Sequence, residues 1–212
     1  MIIRCKRVYL SSQEKSMSLL EMKRLELDEL VKVYEERLIL DFPPEELKPL
    51  SVLTSLMQRG LYLCYGLFDE GEMVAYAFFM RVEGYRDILI DYLAVSAKSR
   101  GKGYGSRFLT LMKEELMEFD SIIFEVESGK SANTSEEVEI CQKRLEFYKK
   151  NGLQDTSLRV SLFGIDMKLL YLPLRNAPSD QGIKDVLDFI YDEFFGVELH
   201  KEKVIIFESN NL

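Results

Sequence analysis

The chain has 212 residues, a formal net charge of −8 and 47% hydrophobic residues. This length predicts one domain, or one domain with an appendage, and the composition excludes a disordered chain. The negative charge argues against a nucleic-acid-binding surface. Because no apolar run could span a membrane and no signal-peptide pattern opens the chain, we expect a cytoplasmic protein without membrane partners.

Hydrophobic periodicity predicts a chain in which helices and strands alternate. Short connections between three successive strands in its middle predict an antiparallel meander. The fold class is therefore α/β (α+β), with a mixed, mostly antiparallel central sheet and helices on both faces. In chain order, the predicted elements are a strand at 18–25, helices at 27–40 and 49–59, strands at 61–69, 73–82 and 88–95, a helix around 108–116, a strand at 121–127, a helix at 134–150, strands at 157–164 and 168–174, a helix at 183–194 and a strand at 203–207.

Few residues suit metal or nucleophilic chemistry. The three cysteines, Cys5, Cys64 and Cys141, are far apart and odd in number, which favours reduced thiols over disulfides or a metal site. The single histidine, His200, lies near the C-terminus. A histidine-based triad and a multi-histidine metal site are therefore not expected, and no metal is predicted.

A basic, glycine-rich loop separates a predicted strand from a predicted helix. Glycines at 101, 103 and 105 let backbone amides approach a ligand, and a helix N-terminus favours an anion. Residues 98–107 carry no acid and four basic side chains, while the rest of the chain has 24 basic against 36 acidic residues. The pattern predicts a site for one phosphate or pyrophosphate group. A flexible turn with solvated lysines is the alternative.

Two other phosphate-binding patterns do not fit. The dinucleotide fingerprint requires a glycine where Ser106 stands. The tripeptide Gly129-Lys130-Ser131 follows a strand, but Phe124 occupies the position at which a Walker A loop has its first glycine. We interpret that tripeptide as a surface loop.

Three patterns occur in a fixed order along the chain. The loop reads RGKGYG at 100–105, a strand reads FEV at 124–126, and a helix ends in FYKKNGL at 147–153. They are similar to the motifs R/Q-x-x-G-x-G/A, LEV and FYxxxGF of the GNAT superfamily, the acyl-CoA-dependent N-acyltransferases. The chain therefore resembles this superfamily over residues 18–174.

The resemblance implies acyl-CoA, most simply acetyl-CoA, as the cofactor. Leu93 and Val95 match strand positions whose backbone groups pair with the pantetheine arm, as another strand would. The loop residues that would hold the CoA pyrophosphate are Arg100, Gly101, Lys102, Gly103, Gly105 and Ser106.

The resemblance also implies direct attack of an amine on the thioester, which requires a base and benefits from an acid. Tyr148 matches the general acid of the family, with core filling as the alternative. Glu125 matches a base of the ribosomal-protein-alanine acetyltransferase branch, although a carboxylate on an outward strand face would fit the pattern as well. Asp91 and Glu127 are rival carboxylates.

The chain also departs from the family pattern. Leu89 stands where some histone-acetylating relatives have a glutamate, and Cys141 stands where many relatives have an asparagine. The expected organisation is an N-terminal extension (1–17), an acyltransferase domain (18–175) and a C-terminal helix–strand extension (176–212). Packing onto the domain, a contact in a homodimer and an acceptor-site lid are open roles for this last part.

Two functions follow from these patterns. The first is transfer of an acyl group from acyl-CoA to an amine on a small molecule or peptide. The alternative is a regulatory module that binds CoA without catalysis. No nucleic-acid partner is expected for either.

Overall fold

The computed structural model describes residues 20–208. The predicted N-terminal extension and Cys5 lie outside the described residues. The strands are β1 (Leu20–Arg24), β2 (Tyr62–Asp69), β3 (Glu72–Arg81), β4 (Asp87–Val95), β5 (Ser121–Glu127), β6 (Gln154–Leu162), β7 (Ile165–Pro173) and β8 (Val204–Glu208). The helices are α1 (Leu27–Val33), α2 (Ile39–Asp41), α3 (Leu50–Gln58), α4 (Tyr104–Glu115), α5 (Ser135–Lys150), α6 (Asp180–Phe195) and α7 (Val197–Lys203).

The strands form one eight-stranded sheet in the order β1-β2-β3-β4-β5-β7-β6-β8. This mixed, mostly antiparallel sheet confirms the predicted fold class. The chain divides into two compact units. The first contains the described residues up to Phe79 together with Asp91–Glu115, and the second contains Met80–Ile90 together with the described residues from Leu116 onwards.

In the first unit, β1 pairs antiparallel with β2 from Leu20–Asp69 to Arg24–Tyr65. The helix predicted at 27–40 is present, but a π-helical turn at Tyr34–Leu38 interrupts it between α1 and α2. Such turns add a residue to the helical repeat and re-aim the side chains that they carry. The helix predicted at 49–59 is confirmed as α3.

In the second unit, β4 and β5 are parallel over only three residue pairs, which end at Leu89 and Ile123. β5 then pairs antiparallel with β7 along its whole length, from Ser121–Pro173 to Glu127–Met167. This register contains no bulge, so side chains along β5 alternate regularly between the two faces. The helix predicted at 134–150 is confirmed as α5, and Thr134 and Glu137 form the predicted capping box.

Three details of the second unit correct the sequence analysis. β6 begins at Gln154, three residues early, because an irregularity between Asp155 and Arg159 breaks the alternation used to find its start. The β6–β7 turn lies at Phe163 and Gly164, both with positive φ, as in the favoured two-residue hairpin turns. Helix α7 is not predicted, because it has no buried residue and hence no apolar stripe.

Within residues 20–208, no helix combines the length and the apolar character that a membrane crossing needs. In the same residues, no three histidine, cysteine or acidic side chains are arranged to hold a metal ion.

Candidate functional site

The glycine-rich loop of the first unit leads from β4 into α4 through a short 3-10 turn, Ala97–Ser99. Gly101 and Gly103 have φ values of +75° and +83°, a conformation that side chains disfavour. A Cβ added at either glycine would meet no atom within 4 Å. Backbone conformation and not packing therefore explains these glycines, and the space beside them is open to a ligand.

The start of α4 supplies hydrogen-bond donors beside this space. The amide of Arg107 donates to the carbonyl of Gly103 at 3.1 Å, which closes the first helical bond. The amides before it, including those of Gly105 and Ser106, have no carbonyl one turn earlier in the helix. Together with the positive end of the helix dipole, they favour an anionic group at this end of α4.

Acidic side chains from other parts of the chain lie close to the basic loop and reduce its net positive charge. Lys98 forms an ion pair with Glu72 of β3. The Arg100 side chain is 64% exposed, and one of its terminal nitrogens lies 3.9 Å from Asp41 Oδ1. Lys102 and Arg107 are exposed. The loop therefore offers basic side chains to solvent, while acids from distant parts of the chain partly neutralise it.

Asp41 ties this region to the interior of the first unit. The buried Tyr76 hydroxyl donates to Asp41 Oδ2 at 3.0 Å. Burial first, and Asp41 second, raise the pKa of Tyr76, so the phenol remains a proton donor at physiological pH. Asp41 thus lies between a fixed donor and the exposed guanidinium of Arg100.

A second polar cluster surrounds Asp91 on β4. Its Oδ1 accepts from Lys48 Nζ at 2.7 Å, and its Oδ2 accepts from the Tyr62 hydroxyl at 2.5 Å. The Asp91 side chain is only 6% exposed, and that of Lys48 is 17% exposed. Burial, followed by the charge of Asp91, raises the pKa of Tyr62 well above its ordinary value. Both carboxylate oxygens are therefore held by neutral or cationic donors.

The same cluster fixes the connection between α2 and α3. The Tyr92 hydroxyl donates to the carbonyl of Glu46 at 2.8 Å and accepts from the amide of Lys48 at 3.0 Å. Tyr34, in the π-helical turn, donates to the carbonyl of Lys48 at 3.0 Å. A general base must reach the proton that it removes. The buried, doubly engaged carboxylate of Asp91 is better suited to anchoring this connection.

Beyond Asp91, burial alternates along β4, since Tyr92 and Ala94 are buried whereas Leu93 and Val95 are partly exposed. This pattern places Asp91, Leu93 and Val95 on one face, as the alternation predicts.

The other candidate residues belong to the second unit. The half-buried ring of Tyr148 packs against Phe124 with 5.3 Å between centroids. Burial raises the pKa of Tyr148, with a smaller opposing effect from Arg144. Glu125 accepts a hydrogen bond from the Tyr191 hydroxyl of α6. Because Phe124 and Glu125 are consecutive residues of a regular strand, their side chains point to opposite faces.

Glu127 has a partner of its own. The Cys141 thiol of α5 lies 3.4 Å from Glu127 Oε2. Burial first, and this carboxylate second, raise the pKa of Cys141, so the thiol stays protonated and unreactive at neutral pH. Cys141 is thus a buried partner of an acid.

The sequence analysis missed the side chains that bind the candidate bases Asp91 and Glu125, namely Lys48, Tyr62 and Tyr191. Lys48 and Tyr62 lie 43 and 29 residues from Asp91, and Tyr191 lies 66 residues from Glu125. The only local signal is that Tyr62 and Tyr191 each carry a hydroxyl into an apolar segment, where a buried phenol needs a partner.

The fold and the loop can be compared with known proteins. The model of the acetyltransferase (GNAT) family matches residues 26–136, which is just over half of the chain. No curated protein matches the chain.

Solved structures provide the remaining comparisons. A protein from Bacteroides thetaiotaomicron, assigned to the GNAT acetyltransferases, is 20% identical with a TM-score of 0.64, over 83% of this chain and 98% of that one. The ribosomal-protein-S18-alanine N-acetyltransferase of Escherichia coli is 18% identical with a TM-score of 0.52, over 76% and 97%. An acetyltransferase of Bacillus subtilis in complex with CoA is 19% identical with a TM-score of 0.50, over 73% and 97%. At these identities the likeness shows the fold alone.

The Asp91 cluster yields a stability prediction. Lys48→Met should lower the free energy of unfolding by about 3 kcal/mol, because it leaves a buried carboxylate without its cation. The double variant Lys48→Met with Asp91→Asn should recover part of this loss. Urea denaturation measures both, with Lys32→Met on the exposed side of α1 as the control. A loss no larger than that of the control would contradict the anchoring role.

Proposed function

Because this chain belongs to the GNAT acetyltransferase family, we propose that it is an N-acetyltransferase that moves the acetyl group of acetyl-CoA to an amine. The observation that carries the proposal is the open, amide-lined loop at the start of α4, with its exposed Arg100. A loop of this kind suits a pyrophosphate, and no packing contact explains Gly101 or Gly103.

The residues present fit CoA. We assign the pyrophosphate to the amides of the loop and of the first turn of α4, and to the Arg100 side chain. The residues in this assignment are Arg100, Gly101, Lys102, Gly103, Gly105 and Ser106. The relative from Bacillus subtilis that was solved with CoA supports the choice of this cofactor.

The pantetheine arm is assigned to the backbone of β4. The pairing of β4 with β5 ends at Leu89, and the strand continues to Val95. Leu93 and Val95 belong to this continuation, and a peptide-like arm can use strand backbone groups as another strand would.

Bound acetyl-CoA supplies a thioester whose carbonyl carbon forms a bond to the amine nitrogen as its bond to sulfur breaks. The amine must arrive without a proton, so a base has to take one from the ammonium. We assign this role to Glu125, through water. Asp91 is the second choice, because Lys48 and Tyr62 already engage its carboxylate.

Tyr148 is assigned as the acid that returns a proton to the departing sulfur. Burial raises the pKa of Tyr148, so the phenol carries a proton at neutral pH and can donate it as negative charge develops on the sulfur. The same burial fits a core-filling ring, so substitution has to decide between the two roles.

The proposed activity can be tested without knowledge of the acceptor. Purified protein with acetyl-CoA should release free thiol in the presence of at least one amine class, with spermidine, free lysine and a peptide beginning with alanine as probes. Omission of the amine is the control. Mass spectrometry of the product should show one added acetyl group on nitrogen.

The regulatory alternative predicts a different pair of results. CoA and acetyl-CoA would raise the melting temperature more than ATP does, because a ligand that binds only the native state stabilises it. Acetyl-CoA would nevertheless not be consumed with any of the amines. Turnover with one amine excludes this alternative.

Reversal of one loop charge tests the assignment of the CoA site. Arg100→Glu should weaken acetyl-CoA binding at least about tenfold, because a carboxylate then faces the pyrophosphate. Isothermal titration measures the affinity, and Lys143→Glu on exposed α5 is the charge-matched control. Equal affinities for the two variants would disprove this placement of the pyrophosphate.

Removal of one hydroxyl tests the acid. Tyr148→Phe should lower kcat about 100-fold and leave the affinity for acetyl-CoA within about twofold, since only proton transfer is affected. Tyr171→Phe removes an exposed hydroxyl on β7 and serves as the control. If Tyr148→Phe turns over as fast as the control when chemistry limits the rate, the ring only fills the core.

A further inference from the structure

The C-terminal segment contributes a buried hydroxyl to the candidate base. Tyr191 lies on α6, beyond the part of the chain that the family model matches. Its side chain is buried within the second unit, and its hydroxyl donates to Glu125 Oε1. A helix outside the matched residues thus contacts the carboxylate to which the proposed function assigns proton removal.

Packing on several sides fixes the direction of this hydroxyl. The Tyr191 ring stacks on Phe195, with centroids 6.0 Å apart and an interplanar angle of 17°. The His200 ring of α7 lies 5.4 Å away. His200 is itself held by Asp192 of α6, whose Oδ1 is 2.7 Å from Nδ1. A ring enclosed in this way cannot turn its hydroxyl elsewhere without disturbing both helices.

The hydroxyl is also a permanent donor. Burial, followed by the charge of Glu125, raises the pKa of Tyr191 well above its ordinary value. Tyr191 therefore keeps its proton at neutral pH, and the Glu125 carboxylate is the acceptor. Hydrogen bonds to the ionised form of a carboxyl group favour that form.

We propose that Tyr191 is a positioning residue, which orients the Glu125 carboxylate and keeps it ionised for proton removal, so that the C-terminal helix completes the catalytic base. This inference rests on the proposed function. It also gives part of the extension a role in catalysis, in addition to packing.

The charged or titratable groups near Tyr191 on α6 and α7 are Asp188, Asp192 and His200. Asp188 adds to the raised pKa of Tyr191, and Asp192 holds His200. His200 Nε2 lies 3.5 Å from Asp188. On β7, the residue opposite Glu125 is the buried Leu169.

The inference is tested with Tyr191→Phe, which keeps the ring and removes the donor. Loss of a hydrogen bond that favours the ionised carboxyl should move the titration of Glu125 upwards by about one pH unit. The acidic limb of the kcat/KM profile should move upwards with it, so that activity on this limb falls about tenfold and returns to within about twofold at alkaline pH.

Two readouts are followed side by side. The carboxyl titration is recorded by NMR on protein with ¹³C-labelled glutamate, and Glu125→Gln identifies the signal. The rate profile uses whichever probe amine is acetylated. Tyr85→Phe is the matched control, since its hydroxyl also contacts α6, at Asp185, but does not touch Glu125. Replacement of Tyr191 by 4-aminophenylalanine retains a weaker donor at the same ring position, so its profile should lie between those of Tyr191→Phe and the native protein.

The outcomes separate the inference from the function on which it rests. A lower melting temperature of Tyr191→Phe with unmoved titration and unmoved limb would overturn the positioning role and leave a packing role. Should Tyr191→Phe not fold, the 4-aminophenylalanine protein decides, because its weaker donor should still move the titration of Glu125 and the acidic limb upwards, and an unmoved titration with an unmoved limb contradicts the inference. Full activity of Glu125→Gln would overturn the assignment of the base. Absence of turnover with every amine would overturn the proposed function. Either result would also overturn the inference.

Discussion

The buried carboxylate of Asp91 is the constraint on which much of the first unit depends. A charge with 6% exposure has to be paired, and Lys48 and Tyr62 meet that requirement from two other elements of the chain. Their contacts fix the connection between α2 and α3 against β4, together with the hydrogen bonds of Tyr34 and Tyr92. The loop that we assign to CoA follows directly from this strand and therefore starts from a rigid support.

Hydrogen-bond partners distinguish two carboxylates, those of Asp91 and Glu125, that the sequence alone does not distinguish. Asp91 and Glu125 each occupy a strand position with an apolar neighbour on both sides. A lysine cation and a phenol engage Asp91, whereas the Tyr191 phenol is the donor that reaches Glu125 Oε1. The Asp91 side chain is only 6% exposed, and both of its carboxylate oxygens are engaged. These contacts suit a structural role, and they are the reason for ranking Asp91 second as a base.

Local patterns determined what could be predicted from the sequence. The strand at 121–127, the capping box at Thr134 and the phosphate-type loop follow from periodicity and from residue types that act on their immediate neighbours. The charge of the loop could not be predicted in the same way, because Glu72 and Asp41 reach Lys98 and Arg100 only through tertiary structure. Equally, no spacing rule connects Asp91 with Lys48, or Glu125 with Tyr191, across 43 and 66 residues.

The side chains of β5 alternate between its two faces, and this alternation explains how the C-terminal segment contacts Glu125. Phe124 and Glu125 point to opposite faces, so the helix that carries Tyr148 and the helix that carries Tyr191 approach the strand from different sides. A motif that places an acidic residue on such a strand does not specify which group will donate a hydrogen bond to its carboxylate. Here α6 supplies a buried hydroxyl, held by Phe195 and His200. Hydrogen bonds to charged groups contribute more than those between neutral groups. The proposed base would therefore depend in part on a helix that lies beyond residues 26–136, which the family model matches.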